Sequence, residues 1–213
     1  MLTIALTKGR LLEHTLQFLG DCGIEIDPAE VSSRRLMVSD RAGSFRFLFV
    51  KAFDVPAYVE YGVADAGVCG RDVLLETSPD VHQPLDLGFG FCKIVVAGRK
   101  DDLAERELVG LRVATKYPSI AEEHFRRRGV PVEIIPLTGS IELAPLLGLA
   151  HRIVDLVETG RTLKENNLVV TETIATSSAR LIVNRASFHL RHGDVTGLMR
   201  SFRKRLDDRR RPQ

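Results

Sequence analysis

The strongest constraint on the fold is a rhythm. Apolar runs of four to six residues alternate with amphipathic stretches of helical period along nearly the whole chain. A short run without polar alternation buries both faces of its strand, which requires helices on each side, so the pattern is that of an α/β protein with a largely parallel sheet. Leu2 to Leu6 reads as the first strand, and the next helix sets Leu11, Leu12, Thr15, Leu16 and Leu19 on one face, with Gly23 beyond its end. Phe45 to Val50 reads as a strand, Val55 to Tyr61 as a helix starting near Pro56, and Ala64 to Val68 as a short strand. Gly70 then opens a helical turn through Glu76. Lys93 to Ala97 reads as a strand, and the polar segment from Gly98 to Glu107 as a connection.

A second series follows: strand Arg112 to Thr115, helix Pro118 to Arg128 stopped by Gly129, strand Val132 to Pro136, and a short helix from Ser140 that Pro145 limits to a turn or so. Ile153 to Val157 reads as a buried strand, and Lys164 to Asn167 as a helical turn. Leu168 to Ala175 and Arg180 to Val183 read as extended, with a closing helix from about Val195 to Leu206. Two such series predict two α/β lobes with the ligand between them, met at the carboxyl ends of strands.

Composition narrows the function. A net charge of +2 gives no general surface for nucleic acid, and the arginine-rich tail from Arg200 to Arg211 is interrupted by Asp207 and Asp208, as a solvated terminus is. Cys22, Cys69 and Cys92 are odd in number and widely spaced, which suits reduced thiols in a cytoplasmic protein rather than disulfides or a metal knot. Leu2 to Leu6 breaks too early for an export signal, and no run has the length of a membrane span. The six histidines show no zinc-pair spacing, and no Walker loop, Gly-x-Ser-x-Gly elbow or well-placed dinucleotide fingerprint appears.

What remains is a set of strand ends. Asp155, Leu156, Val157, Glu158, Thr159, Gly160, Arg161, Thr162 and Leu163 pack two carboxylates, two hydroxyls, a glycine and a cation into the turn after an apolar strand. Such a turn can hold ribose hydroxyls on one side and a phosphate on the other. A plainer alternative stands beside it: Thr162 and Glu165 have the spacing of a capping box, which would consume the same backbone donors. Thr138, Gly139, Ser140, Ile141 and Glu142 repeat the theme, and Glu142 also fits a simple helix cap. Lys8, Gly9 and Arg10 follow the first strand and would meet an anion, or stand as solvated loop charges. Arg34 with Arg35, and Lys51 at the end of its strand, are further cations of this kind. Glycines crowd the run from Glu60 to Asp72, with Asp65 among apolar neighbours, which suits either ligand approach or tight turns.

Taken in order, these segments resemble the short form of the ATP phosphoribosyltransferase family. The resemblance is carried by Leu6 to Arg10, Ser33 to Leu36, Asp54 to Glu60, Gly62 to Asp72, Gly139 to Pro145, the turn Asp155 to Leu163, and Ser178 to Asn184. It implies two lobes like those of type II periplasmic binding proteins, with mixed or parallel sheets flanked by helices. Residues 1–95 plus 180–213 would form lobe I and residues 96–179 lobe II, with no C-terminal regulatory domain. It implies attack of the adenine N1 of ATP on the anomeric carbon of phosphoribosyl pyrophosphate, with Mg²⁺, as the first step of histidine biosynthesis.

On this resemblance Thr159, Gly160, Arg161 and Thr162 take the 5-phosphate, and Asp155, Glu158, Gly139, Ser140 and Glu142 complete the phosphoribosyl pyrophosphate site. Lys8, Gly9, Arg10 and Asp65 bind ATP, and Arg34 and Lys51 act in catalysis. No metal ligand is indicated. Lys51 departs from the family pattern, where arginine more often stands, and a lysine cannot make the same two-pronged phosphate contact. The short form further implies a regulatory partner resembling histidyl-tRNA synthetase, in a hetero-octamer. Two alternatives share the architecture: a non-catalytic small-molecule binding or effector-sensing domain, and a phosphoribosyltransferase for another base.

Overall fold

A computed structural model describes residues 1–102 and 110–210. Residues 103–107 of the expected polar connection lie outside the described residues. The chain forms two compact units, one of Met1–Gly90 with the chain from Ser178 onward, the other of Phe91–Ser177.

In the first unit, β1 (Leu2–Thr7), β2 (Met37–Ser39), β3 (Phe45–Val50), β4 (Ala66–Gly70), β5 (His82–Asp86) and β11 (Ala179–Val183) form a sheet of order β2-β3-β1-β4-β11-β5. β1 runs parallel to β3 and β4, while β2, β11 and β5 pair antiparallel, so the sheet is mixed. The period of two along β1 explains its place at the centre. Leu2, Ile4 and Leu6 enter one core with Phe18 and Leu19 of helix α1 (Leu12–Asp21), and Ala5 enters another with Val55 and Val59 of helix α3 (Val55–Glu60). On that second face Gly67 lets α3 lie close, because a Cβ there would sit 2.9 Å from Val55 Cγ1 and Val59 Cγ2.

The closing helix α9 (His192–Arg210) sends Val195, Leu198 and Phe202 into the first core, where Phe202 meets Phe18 edge to face at 5.0 Å. Burying each such ring is worth about 2–3 kcal/mol, which ties the returning segment to the first unit.

In the second unit, β6 (Cys92–Arg99), β7 (Leu111–Thr115), β8 (Val132–Pro136), β9 (Arg152–Val157) and β10 (Leu168–Ser177) form a sheet of order β10-β6-β9-β7-β8. β7 is parallel to β8 and β9, and β6 and β10 pair antiparallel. Helix α5 (Pro118–Arg127) flanks this sheet, and Ile141, Ala144 and Leu163 join Val95, Ala114 and Ile153 in its core.

Sequence and structure differ in informative places. β6 continues through Gly98 and Arg99, where a connection is expected, because it pairs with β9 and β10 along its whole length. That pairing also brings residues 92–95 into the second unit, so the division falls at 90/91 and 177/178 rather than 95/96 and 179/180. Helix α2 (Pro28–Ser32), β2, β5 and helix α8 (Arg185–Leu190) are additional elements. β5 contains Pro84 and is an edge strand, whose polar sequence carries no pattern. α2 and α8 had legible signals: Asp27 caps Ala29 N at 2.8 Å, and Asn184 caps Ser187 N at 2.8 Å.

Candidate active site

The second unit gathers three of its loops at one edge of its sheet. The register Thr115↔Val154 and Thr115↔Pro136 aligns the carboxyl ends of β9, β7 and β8. Asp155 therefore shares that edge with Lys116 and with the loop holding Gly139, Ser140 and Glu142. Asp155 is half-buried, and desolvation pushes its carboxyl up to about 6. A hydrogen bond from Leu156 N at 2.8 Å opposes the shift, the Glu142 charge adds to it, and the Lys116 charge reduces it. A carboxylate held at such cost at a strand end is a functional-site signal.

The turn after β9 does not contain the capping box. Helix α7 spans Arg161–Glu165, so Thr162 lies inside its first turn and Gly160 is the N-cap, with no side-chain cap bond. Glu165 accepts from Arg161 Nε at 2.8 Å instead of reaching back to the turn. The helix starts three residues earlier than expected because Gly160 takes φ 76°, a left-handed conformation that reverses the chain at once. Glu158, Thr159, Arg161 and Thr162 are exposed around this reversal.

Glu142 does not cap its helix either: α6 is the four-residue Leu143–Leu146, with no side-chain cap bond at its N-cap Glu142. Ser140 precedes it at φ 50°. The helix expected from Ser140 is thus displaced by a loop that leaves Gly139 and Ser140 exposed.

The first unit gathers cations at the carboxyl edge of its own sheet. The register Thr7↔Val50 puts Lys8 beside Lys51 at the ends of two parallel neighbours, and Lys8 N donates to Val50 O at 2.8 Å. Gly9 takes φ 96°, and Arg10 follows, with its guanidinium donating to Gly90 O at 3.3 Å. Arg34 enters β2 at the end of β3 that bears Lys51, since Met37 pairs with Leu48 and Phe49 N donates to Leu36 O. Its neighbour Arg35 is committed to Glu30 at 2.8 Å. Lys8, Arg10, Arg34 and Lys51 are exposed.

Asp65 does something other than expected. It precedes β4, at the amino end of that strand, away from the cations at the carboxyl edge. Its carboxylate accepts from Thr3 N at 2.8 Å, Ser187 Oγ at 2.7 Å and Arg191 at 3.0 Å. Those bonds tie the first strand to α8 and α9, which makes Asp65 a structural clamp and not an ATP contact. Lys116 is the residue sequence reading missed; its signal was its position directly after a strand, the same as that of Lys8 and Lys51.

The ATP phosphoribosyltransferase (HisG) family model matches residues 51–206. The chain belongs to the ATP phosphoribosyltransferase family. It is 48% identical over 96% of its length to an ATP phosphoribosyltransferase from Geobacter metallireducens, covering 98% of that protein. The ATP phosphoribosyl transferase (HisG:HisZ) complex from Thermotoga maritima contains a chain that matches with a TM-score of 0.85 and 34% identity, over 98% of this chain and 100% of that one. A putative L-cystine ABC transporter structure from Listeria monocytogenes matches at a TM-score of 0.60 and 10% identity, over 97% of this chain and 89% of that chain. That second likeness is of fold alone. The protein is therefore an enzyme, a phosphoribosyltransferase of histidine biosynthesis, and the fold it shares with binding proteins does not make it one of them.

Proposed function

We propose that the two units divide the substrates of the ATP phosphoribosyltransferase reaction, the second taking phosphoribosyl pyrophosphate and the first taking the phosphates of ATP. In the second unit, Thr159, Gly160, Arg161 and Thr162 hold the 5-phosphate, and Gly139, Ser140 and Glu158 line the same site. Asp155, with Glu142 nearby, holds ribose hydroxyls. In the first unit, Lys8, Gly9 and Arg10 bind ATP, Arg34 and Lys51 act in catalysis, and the four cations neutralise the triphosphate or the leaving pyrophosphate. The observation that carries this reading is the desolvated Asp155 carboxylate at the end of β9, directly before the uncapped Gly160 turn.

The chemistry suits these groups. Adenine N1 attacks the anomeric carbon, the N1–C1 bond forms with inversion, and the C1–O bond breaks with its electron pair leaving on pyrophosphate. Positive charge grows on the ribose ring as the leaving group departs, and the Asp155 carboxylate beside it stabilises that charge. A neutral ring nitrogen needs no general base for attack, so orientation and charge stabilisation carry the rate.

Mg²⁺ belongs to the same reading. No cluster of three metal-ligating side chains forms among the described residues, which suits a hard cation carried in on phosphate oxygens, where it supplies charge neutralisation.

The reading extends to assembly. The Thermotoga neighbour, a HisG:HisZ complex, supports a second, regulatory subunit as partner; its likeness to histidyl-tRNA synthetase and the hetero-octamer are what the family resemblance implies. A cytoplasmic location, where ATP and phosphoribosyl pyrophosphate are made, is part of it.

The test is direct. The purified chain with ATP, phosphoribosyl pyrophosphate and Mg²⁺ should yield phosphoribosyl-ATP and pyrophosphate. Absence of product both with and without the regulatory subunit would refute it.

A further inference from the structure

The proposed phosphoribosyl pyrophosphate site has a charge problem. Its sequence-named residues include three carboxylates, Glu142, Asp155 and Glu158, against one cation, Arg161, whose guanidinium already serves Glu165 at 2.8 Å. A polyanion with a 5-phosphate and a pyrophosphate settles poorly in a field of that sign, and the charge that its Mg²⁺ does not neutralise calls for a cation from the protein.

The second unit supplies one. Lys116 follows β7, the strand lying between β8 and β9, and the register places it beside Asp155 on one side and Leu137, which leads into the Gly139–Glu142 loop, on the other. It is exposed, while Thr115 and Tyr117 on either side are buried. The Thr115 hydroxyl fixes this posture by donating to Val154 O at 2.6 Å and accepting from Tyr117 N at 2.8 Å. Both bonds are buried, and Pro118 then starts α5, so the backbone carrying Lys116 is set rigidly at the sheet edge. Its charge reaches Asp155, as does that of Glu142, and on the other side of Asp155 strand β6 offers Val95.

We propose that Lys116 is a catalytic residue that binds the pyrophosphate of phosphoribosyl pyrophosphate and stabilises its negative charge as the C1–O bond breaks. The inference rests on the second unit holding that substrate. The 5-phosphate lies with the Gly160 reversal, five residues beyond Asp155, whereas Lys116 stands at the level of Asp155 itself, where the ribose hydroxyls and the anomeric carbon belong. An ammonium there meets the leaving group and not the 5-phosphate. It also offsets the carboxylates that stabilise the ring, so that both ends of the breaking bond are served.

The experiment compares Lys116→Met, Lys116→Arg and Lys93→Met with the parent chain, measuring binding of pyrophosphate and of ribose 5-phosphate separately by calorimetry, together with kcat and KM. Lys93 is a control cation, exposed at the start of β6 opposite Val157. Lys116→Met is expected to weaken pyrophosphate on the order of 10- to 100-fold, as loss of a charged hydrogen bond does, to change ribose 5-phosphate less than about threefold, and to lower kcat. Lys116→Arg should restore much of the loss.

Equal weakening of both ligands, no weakening of pyrophosphate, or a larger effect from Lys93→Met overturns the assignment. Thr162→Ala separates this from failure of the underlying reading. If it leaves ribose 5-phosphate binding untouched, the site itself is misplaced; if it weakens ribose 5-phosphate while Lys116→Met spares pyrophosphate, only the role of Lys116 fails.

Discussion

Replacing Asp155 by asparagine should make the enzyme more stable and nearly inactive. Its folded carboxyl titrates at about 6, against an ordinary aspartate value of 3.8, chiefly because burial penalises the charged form. Two pH units of difference correspond to about 3 kcal/mol. The sign follows from proton counts. Between pH 4 and 6 the folded state holds a proton that the unfolded state has released, so stability falls as pH rises through that window. Above it the full penalty is present; below about pH 4 it is gone.

Asparagine keeps the acceptor for Leu156 N, bonded now at 2.8 Å, and carries no charge. Allowing about 1 kcal/mol for placing its amide donors, the variant should gain about 2 kcal/mol at pH 8, a rise in Tm of about 4–8 °C for a chain of this size. Urea unfolding without substrates, at pH 4 and pH 8, measures this. A variant less stable than its parent at pH 8, or a gain as large at pH 4 as at pH 8, would refute the argument. The kinetic counterpart is loss of the Asp155 part of the acidic limb in the dependence of kcat/KM on pH. Substrate phosphates also titrate near 6, and their share of the limb should persist in the variant.

Other substitutions separate the site from its scaffold. Thr162→Ala should raise the KM for phosphoribosyl pyrophosphate about tenfold or more while shifting Tm by no more than about 1 °C, because the residue is exposed and caps nothing. Asp65→Ala should cost about 3 kcal/mol in urea unfolding, because Thr3 N and Ser187 Oγ lose their acceptor and the Arg191 guanidinium keeps only the Met1 carbonyl, with an unchanged KM for ATP in the protein that folds. Gly67→Ala should cost about 2 kcal/mol or more, since its new methyl would press on Val55 and Val59. Lys8→Ala and Lys51→Ala should each raise the KM for ATP and flatten its rise with added salt, measured by initial rates in KCl from about 50 to about 300 mM, over which the screening length shortens from about 14 to about 6 Å.

The strand ends were the most legible part of the sequence. Phe45 to Val50 and Val132 to Pro136 are strands with the bounds their patterns imply, since a short, mostly apolar run with one charge, Arg46 or Glu133, bounded by turn residues leaves a chain few other choices. Elements held by pairing alone were not legible: β2 has three residues, and β5 is polar and interrupted by proline. Local spacing misled at two turns. Thr162 with Glu165, and Glu142 before α6, each fit a cap on paper, and neither makes one, because left-handed backbone at Gly160 and Ser140 redirects the chain first.

The turn from Asp155 to Leu163, the cations after β1 and β3, and the order of the segments are properties of the sequence alone, since each depends only on which residues follow which. Tertiary structure decided what those residues face. Folding brought Lys116, just after β7, and Glu142, in the loop before α6, to Asp155 from 39 and 13 residues away in the chain, and burial raised its carboxyl to about 6. The same folding took Asp65 from the candidate site and bound it to Thr3, Ser187 and Arg191. Desolvation and long-range pairing arise only when distant segments share a surface, and no local pattern encodes them.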